Sequence, residues 1–247
     1  MIPKCKLCGR AEKLCQSHVI PEFVFKPIYD EKHRMRELTD RRKNTRALQK
    51  GLREPLLCEG CEQHINTWKR YFKEAWYDHQ LGPHRAPDDL IVVRGLDYSK
   101  FRLFHLSVLW RAGVATRREF AQVTLGPHEP RLRKMLLNAD PGSEELYPLF
   151  AYLLVFGNDN SVCSKMVGIC HRVRISGQWG YQFLFGGAVW NHIVSSHDAP
   201  QHAGYRFNTL GELRLLRVAA TEYGPIGDLF RVRREQGWTT RKDEEKP

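Results

Sequence analysis

Cys5-Lys6-Leu7-Cys8 and Cys58-Glu59-Gly60-Cys61 are two CxxC pairs in one chain. A CxxC turn aims two thiolates at one point. Two such turns supply the four sulfurs that zinc takes in a tetrahedron. No other feature restricts the fold as strongly, because residue 58 has to return to residue 5. The spacing predicts a structural Zn2+ on Cys5, Cys8, Cys58 and Cys61, with Gly9 easing the tight backbone of the first knuckle. Cys15, Cys163 and Cys170 have no ligand spacing and are expected in the core. Seven cysteines, in a chain whose first residues MIPKCKLCGR form no apolar h-region, fit a reducing cytoplasm and metal ligation better than disulfides. The chain has no apolar run of about 18 residues, so no membrane partner is expected.

The second cysteine pair leads into residues 61–79 (CEQHINTWKRYFKEAWYDH). There Ile65, Trp68, Tyr71-Phe72 and Ala75-Trp76 recur at helical spacing and make one apolar-aromatic face. Residues 12–20 read as a short hairpin ending on Val19-Ile20. Pro21 and Pro27 exclude one continuous helix over 22–30. A knuckle, a hairpin and a helix whose first turn carries the last thiolates form a treble-clef plan. Residues 81–89 (LGPHRAPDD) read as a linker, and 90–93 as a short strand. Residues 98–113 are apolar on nearly every side, which predicts a central helix, with Gly113 as its end. Residues 128–138 predict another helix. From residue 147 the texture changes to strands at 149–156, 165–175, 179–186 and 188–194, separated by turn signals, which predicts an antiparallel meander. Leu210–Ala220 fits a strand or a helix.

The expected fold class is therefore α+β. A zinc-bound treble-clef domain covers 1–85 and carries an insert at 32–53. A second α+β domain covers 90–235, helical over 97–140 and mostly strands over 147–220. Residues 236–247 are expected to be a disordered tail.

The net charge is +11, and the insert 32–53 holds nine basic residues against Glu37 and Asp40, a net of +7. Such a balance suits a polyanion, nucleic acid before membrane. Arg41, Arg42, Lys43, Arg46, Lys50 and Arg53 are the candidate phosphate contacts.

Ser17-His18-Val19-Ile20-Pro21 lies between the cysteine pairs. Metal-assisted hydrolysis of a phosphodiester needs a base with a pKa near neutrality, and His18 is the candidate. It also needs a divalent ion at the scissile phosphate. Glu62 and Asn66 are four apart on one helix face, and their oxygens suit Mg2+ or Mn2+. His64 is an alternative ligand for that ion, on a different face.

The order CxxC, His-x-Ile-Pro, Leu-Cys-x-x-Cys, helix resembles the HNH endonuclease family, over residues 1–80. The resemblance implies a ββα-metal core, His18 as general base and Glu62 and Asn66 as helical ligands. Ser17 stands where the family often has an acid, Arg53 where it has an asparagine, and Glu62 where it has His or Asn. Asn44 is a candidate to orient His18 in place of that asparagine. The implied activity is cleavage of DNA, with RNA not excluded, and a role in bacterial (phage) defence fits it. The alternative is a non-catalytic, zinc-dependent nucleic-acid-binding regulator. Residues past 90 show no catalytic motif. Their expected roles are homodimerisation or binding of a protein partner. His171, His192, His197 and His202 are expected to be scattered, and Trp110 and Trp190 to be core.

Overall fold

The computed structural model describes residues 2–37, 46–49, 51–78, 88–157, 160–195, 197, 200–224 and 227–228. Among the described residues the fold is α+β, with four α-helices and a mixed six-stranded sheet. The candidate phosphate contacts Arg41, Arg42, Lys43 and Lys50, the candidate orienting residue Asn44, and the tail at 236–247 lie outside the described residues.

Residues 12–20 do not turn back on themselves as a hairpin. Strand β1 (Leu14–His18) pairs antiparallel with β4 (Arg53–Cys58), from Leu14 opposite Cys58 to His18 opposite Arg53, with an irregularity at Cys15/Gln16. Between them come a four-residue helix α1 (Glu22–Phe25) and a second antiparallel pair, β2 (Arg34–Glu37) with β3 (Arg46–Gln49). The basic insert is thus anchored on a two-stranded ribbon. The partner of β1 lies far along the chain, which local patterning does not reveal.

Helix α2 (Glu59–Phe72) begins directly after β4 and continues as a π-helical turn over Lys73–Asp78. The π turn carries Trp76 and Tyr77, and both rings pack near Phe72, Trp76 stacked and Tyr77 edge-on. Strand β5 (Leu90–Val93) leads to helix α3 (Tyr98–Val114). The Asp97 carboxylate caps α3 by accepting from the Lys100 amide at 2.9 Å. Every residue from Phe101 to Ala112 is buried, as the all-round apolar pattern requires.

Gly113 does not end this helix. It lies inside α3 where a Cβ would sit 2.2 Å from Leu125 Cδ1. Leu125 is itself buried in the core. A Gly113→Ala variant is therefore expected to lose about 1–3 kcal/mol to overpacking, more than the ~1 kcal/mol of helix propensity it gains. Urea denaturation measures the balance, and a stabilised variant would show that propensity wins.

Helix α4 (His128–Leu137) packs on α3. The sheet comprises β6 (Leu149–Val155), β7 (Gly168–Ile175), β8 (Gln178–Phe185), β9 (Ala188–Ile193) and β10 (Leu213–Ala219), in the order β5-β10-β6-β9-β8-β7. The expected antiparallel meander holds for β7, β8 and β9 only, because β6 pairs antiparallel with β9 rather than with the next strand in the chain. Leu210–Ala220 supplies strand β10, which inserts between β5 and β6 and runs parallel to β6. Buried Leu213 and Leu215 alternate with exposed Arg214, a period-two pattern that fits a strand.

One face of the sheet packs on α3, and the core continues from there into the N-terminal unit. Phe72 of α2 stacks on Phe104 of α3 at 3.9 Å between centroids, and Trp76 meets Trp190 of β9 at 4.8 Å. A single cluster of buried apolar side chains runs from Cys5 to Leu215, across the linker at 81–89.

Candidate metal centre and the polar cluster beside it

The knuckle is closed by backbone bonds. Cys5 N–H donates to Arg10 O and Gly9 N–H to Cys5 O, each at 2.9 Å, and Lys4 bridges Ala11. Gly9 has φ 79°, which side-chain-bearing residues rarely adopt. Lys6 N–H donates to Leu56 O, tying the knuckle to β4. From the other side Arg133 of α4 donates through Nε to Leu7 O at 2.5 Å. Cys58 ends β4 and is the N-cap of α2, and Cys61 is in the first helical turn.

These constraints bring the four sulfurs together, all within 4.8 Å of one another, with Cys8 and Cys58 at 3.7 Å. Zinc–sulfur bonds of about 2.3 Å in a tetrahedron need sulfurs about 3.8 Å apart. The quartet therefore fits zinc in donor type and in spacing. Burial disfavours the Cys5 thiolate, but hydrogen bonds from the Cys58, Cys8 and Leu7 backbone outweigh it and bring the thiol down to about 7. Burial and the neighbouring thiols push Cys61 up. Zinc binds the thiolates, so loading the quartet would release the thiol protons. Among the described residues no other group of three or more His, Cys, Asp or Glu side chains can hold a metal.

Beside the metal centre, α2, β1 and α3 enclose a polar cluster. Glu62 Oε2 accepts from Lys69 Nζ at 2.9 Å, and both side chains are mostly buried. Lys69 is seven residues on, so two helical turns bring it back to the same face. Burial raises the Glu62 carboxyl, but the Lys69 ammonium, the Ser17 hydroxyl and the Arg111 charge bring it below its usual range. Burial and Arg111 lower Lys69 against the pull of Glu62. Ser17 is buried, and its Oγ accepts from Leu57 N–H at 3.2 Å, bridging β1 to β4. Arg111, fully buried in α3, donates to Ser107 O at 3.0 Å and to the main-chain carbonyl of His18.

The structure brings Glu62 to Lys69, Ser17 and Arg111. His18 sits at the end of β1 with its ring against Gly51, 3.2 Å from where a Cβ there would lie, beside the Phe25 ring. Asn66 is exposed on α2. The Nε2 of His64 is 2.8 Å from Leu136 O of α4 and its ring packs edge-on against Trp68, so His64 docks one helix on another. Arg53 opposes His18 in the ladder, and its carbonyl accepts from Arg117 at 3.3 Å. Of Arg46 the backbone lies in β3.

Lys69 and Arg111 are the site residues that sequence reasoning missed. The signal for Arg111 was present: a cation in the middle of an all-apolar helix has to be buried with partners. Trp110 and Trp190 are core residues, and the indole of Trp110 donates to Glu129 at 2.8 Å. His202 stacks on Phe150, and His192 faces His105 with 5.6 Å between ring centroids.

No protein-family model, curated protein or solved structure matches this chain. Among the described residues no helix is long and apolar enough to cross a membrane.

Proposed function

We propose that this chain is a zinc-stapled nucleic-acid-binding protein, built on an HNH-type treble-clef frame and acting without hydrolysis. The order of knuckle, β1, β4 and α2, with the cysteine quartet at their meeting point, supports the frame. The charge of +11 and the ribbon of β2 and β3 under the basic insert support a polyanionic partner.

The observation that carries the non-catalytic reading is the Glu62–Lys69 pair at 2.9 Å. A catalytic Mg2+ or Mn2+ needs anionic oxygens. Here the buried helical carboxylate, Glu62, has its Oε2 engaged by an ammonium, with the Arg111 guanidinium near it. Those two cations repel a divalent ion from the same place.

The HNH nuclease is the second reading, favoured by His18 at the end of β1 directly before Val19-Ile20-Pro21. In that reading His18 takes the proton of the attacking water, and the exposed Asn66 helps to hold the ion.

One experiment separates the two. The zinc-loaded full chain and its His18→Ala variant are incubated with plasmid in Mg2+ or Mn2+, and binding is followed by gel mobility at rising salt. Salt-sensitive retardation with intact plasmid is expected for both proteins. Cutting by the wild type that His18→Ala abolishes establishes the nuclease instead.

A further inference from the structure

Strand β7 is the outer strand of the sheet, and it is joined to β8 by a two-residue turn, Ser176-Gly177, with φ 48° and 83°. Both residues in left-handed backbone make a tight hairpin whose tip is held rigidly. Arg174 lies opposite Trp179 in the ladder, and Arg172 is two residues away on the same face. The Arg172 and Arg174 guanidinium carbons lie 3.7 and 4.0 Å from the Trp179 ring centroid. Trp179 is nevertheless 39% exposed, and both arginines are exposed. Arg174 donates to Gly177 O at 2.6 Å, which fixes its plane. Among the described residues no carboxylate forms an ion pair with Arg172, Arg174 or Arg118.

One short element links β7 to the N-terminal unit. The short turn Arg118–Phe120 packs against β7 and exposes Arg118. Arg117 beside it reaches the Arg53 carbonyl, opposite His18. The acids along this path are already engaged, Glu119 by Arg117 at 2.7 Å and Glu54 by Thr116 at 2.6 Å.

We propose that Arg172, Trp179 and Arg174, with Arg118, form a single-stranded nucleic-acid platform leading to the His18 end of the zinc unit. This rests on the nucleic-acid-binding reading above and specifies its ligand. An isolated surface tryptophan says little. One stacked with two arginines that have no carboxylate partner among the described residues offers what an unpaired strand requires. A base extends the guanidinium–indole stack, and the free N–H edges take the flanking phosphates. A duplex keeps its bases stacked inside and has no face to offer, which is why the chemistry selects a single strand.

The test uses the zinc-loaded full chain and fluorescein-labelled oligonucleotides, one single strand and the corresponding duplex, with anisotropy read across a salt series. Wild type is expected to prefer the single strand. Trp179→Ala is expected to weaken that binding about tenfold or more, and Trp179→Phe to retain most of it. Arg172→Gln with Arg174→Gln is expected to lower the salt slope by about one per arginine. These two exposed positions decide the matter if Trp179→Ala fails to fold. Single-strand binding that is unchanged in both the tryptophan and arginine variants, or a wild-type preference for duplex, overturns the platform while leaving nucleic-acid binding intact. Absence of binding to either oligonucleotide at low salt removes both readings.

Discussion

Removing the metal with a strong chelator, or replacing Cys58 by serine, is expected to open the N-terminal unit and lower the melting temperature of the whole chain. Cys58 stands where β4 ends and α2 begins, and its side chain makes no capping hydrogen bond there, so its serine variant loses the sulfur ligand and no cap. The knuckle around Gly9 buries few apolar side chains of its own and relies on the four sulfurs. Structural zinc contributes roughly 10–16 kcal/mol in isolated fingers. In this chain β1, β4 and the α2–α3 contact already place part of the site, so a smaller loss of about 5 kcal/mol is expected, still a large share of an ordinary stability of ~5–15 kcal/mol. The loss spreads beyond residue 80 because Phe72 and Trp76 are common to both halves of the core. Thermal unfolding in a thiol reductant, with released zinc counted colorimetrically, checks this. One zinc per chain and a large drop on its removal are expected; an unchanged melt after complete removal would refute it.

Acid is expected to destabilise the fold steeply below pH ~6.5. His105 and His192 are fully buried against Phe185, Trp190 and Phe183, and their four ring nitrogens have no hydrogen-bond partner among the described residues. Burial, with the charge of Arg102 nearby, lowers both, His192 to about 3. The sign follows from the direction. Folded histidines that stay neutral bind fewer protons than unfolded ones. Their contribution is therefore complete above the unfolded value and is lost as the pH falls toward the folded one. Each histidine contributes a slope of up to about 1.4 kcal/mol per pH unit, roughly 2.7 for the pair. Urea midpoints at pH 7.5, 6.5 and 5.5 measure this. The double variant His105→Leu/His192→Leu, in which neither position titrates, is expected to flatten the acid limb; retention of the wild-type slope would assign acid lability elsewhere.

Local sequence was a good guide where an element's environment is uniform. The all-round apolar run became α3, and the turn signals at 176–178 and at Gly186-Gly187 bounded β7, β8 and β9 closely. It failed where the partner is remote. The mate of β1 is β4, after an intervening ribbon, and β10 takes a parallel place beside β6 because its apolar face completes the layer over α3. The candidate site divides along the same line. Spacing alone marked the four cysteines as one site, and the fold assembles them. The same helix spacing that put Glu62 and Asn66 on one face also put Lys69 there, and it is Lys69 that reaches the carboxylate.

The sequence by itself determined the cysteine quartet, the basic balance and most element types, because CxxC geometry, charge and hydrophobic period are local properties. Only the tertiary structure shows what surrounds the second half of that stretch. Whether Glu62 is open to a metal depends on Lys69 and on Arg111, which arrives from a helix nearly fifty residues further along the chain. Likewise Arg172, Arg174 and Trp179 became one stack only when β7 and β8 paired in register. Through-space electrostatics and strand register depend on which segments meet, and a linear pattern carries no record of that.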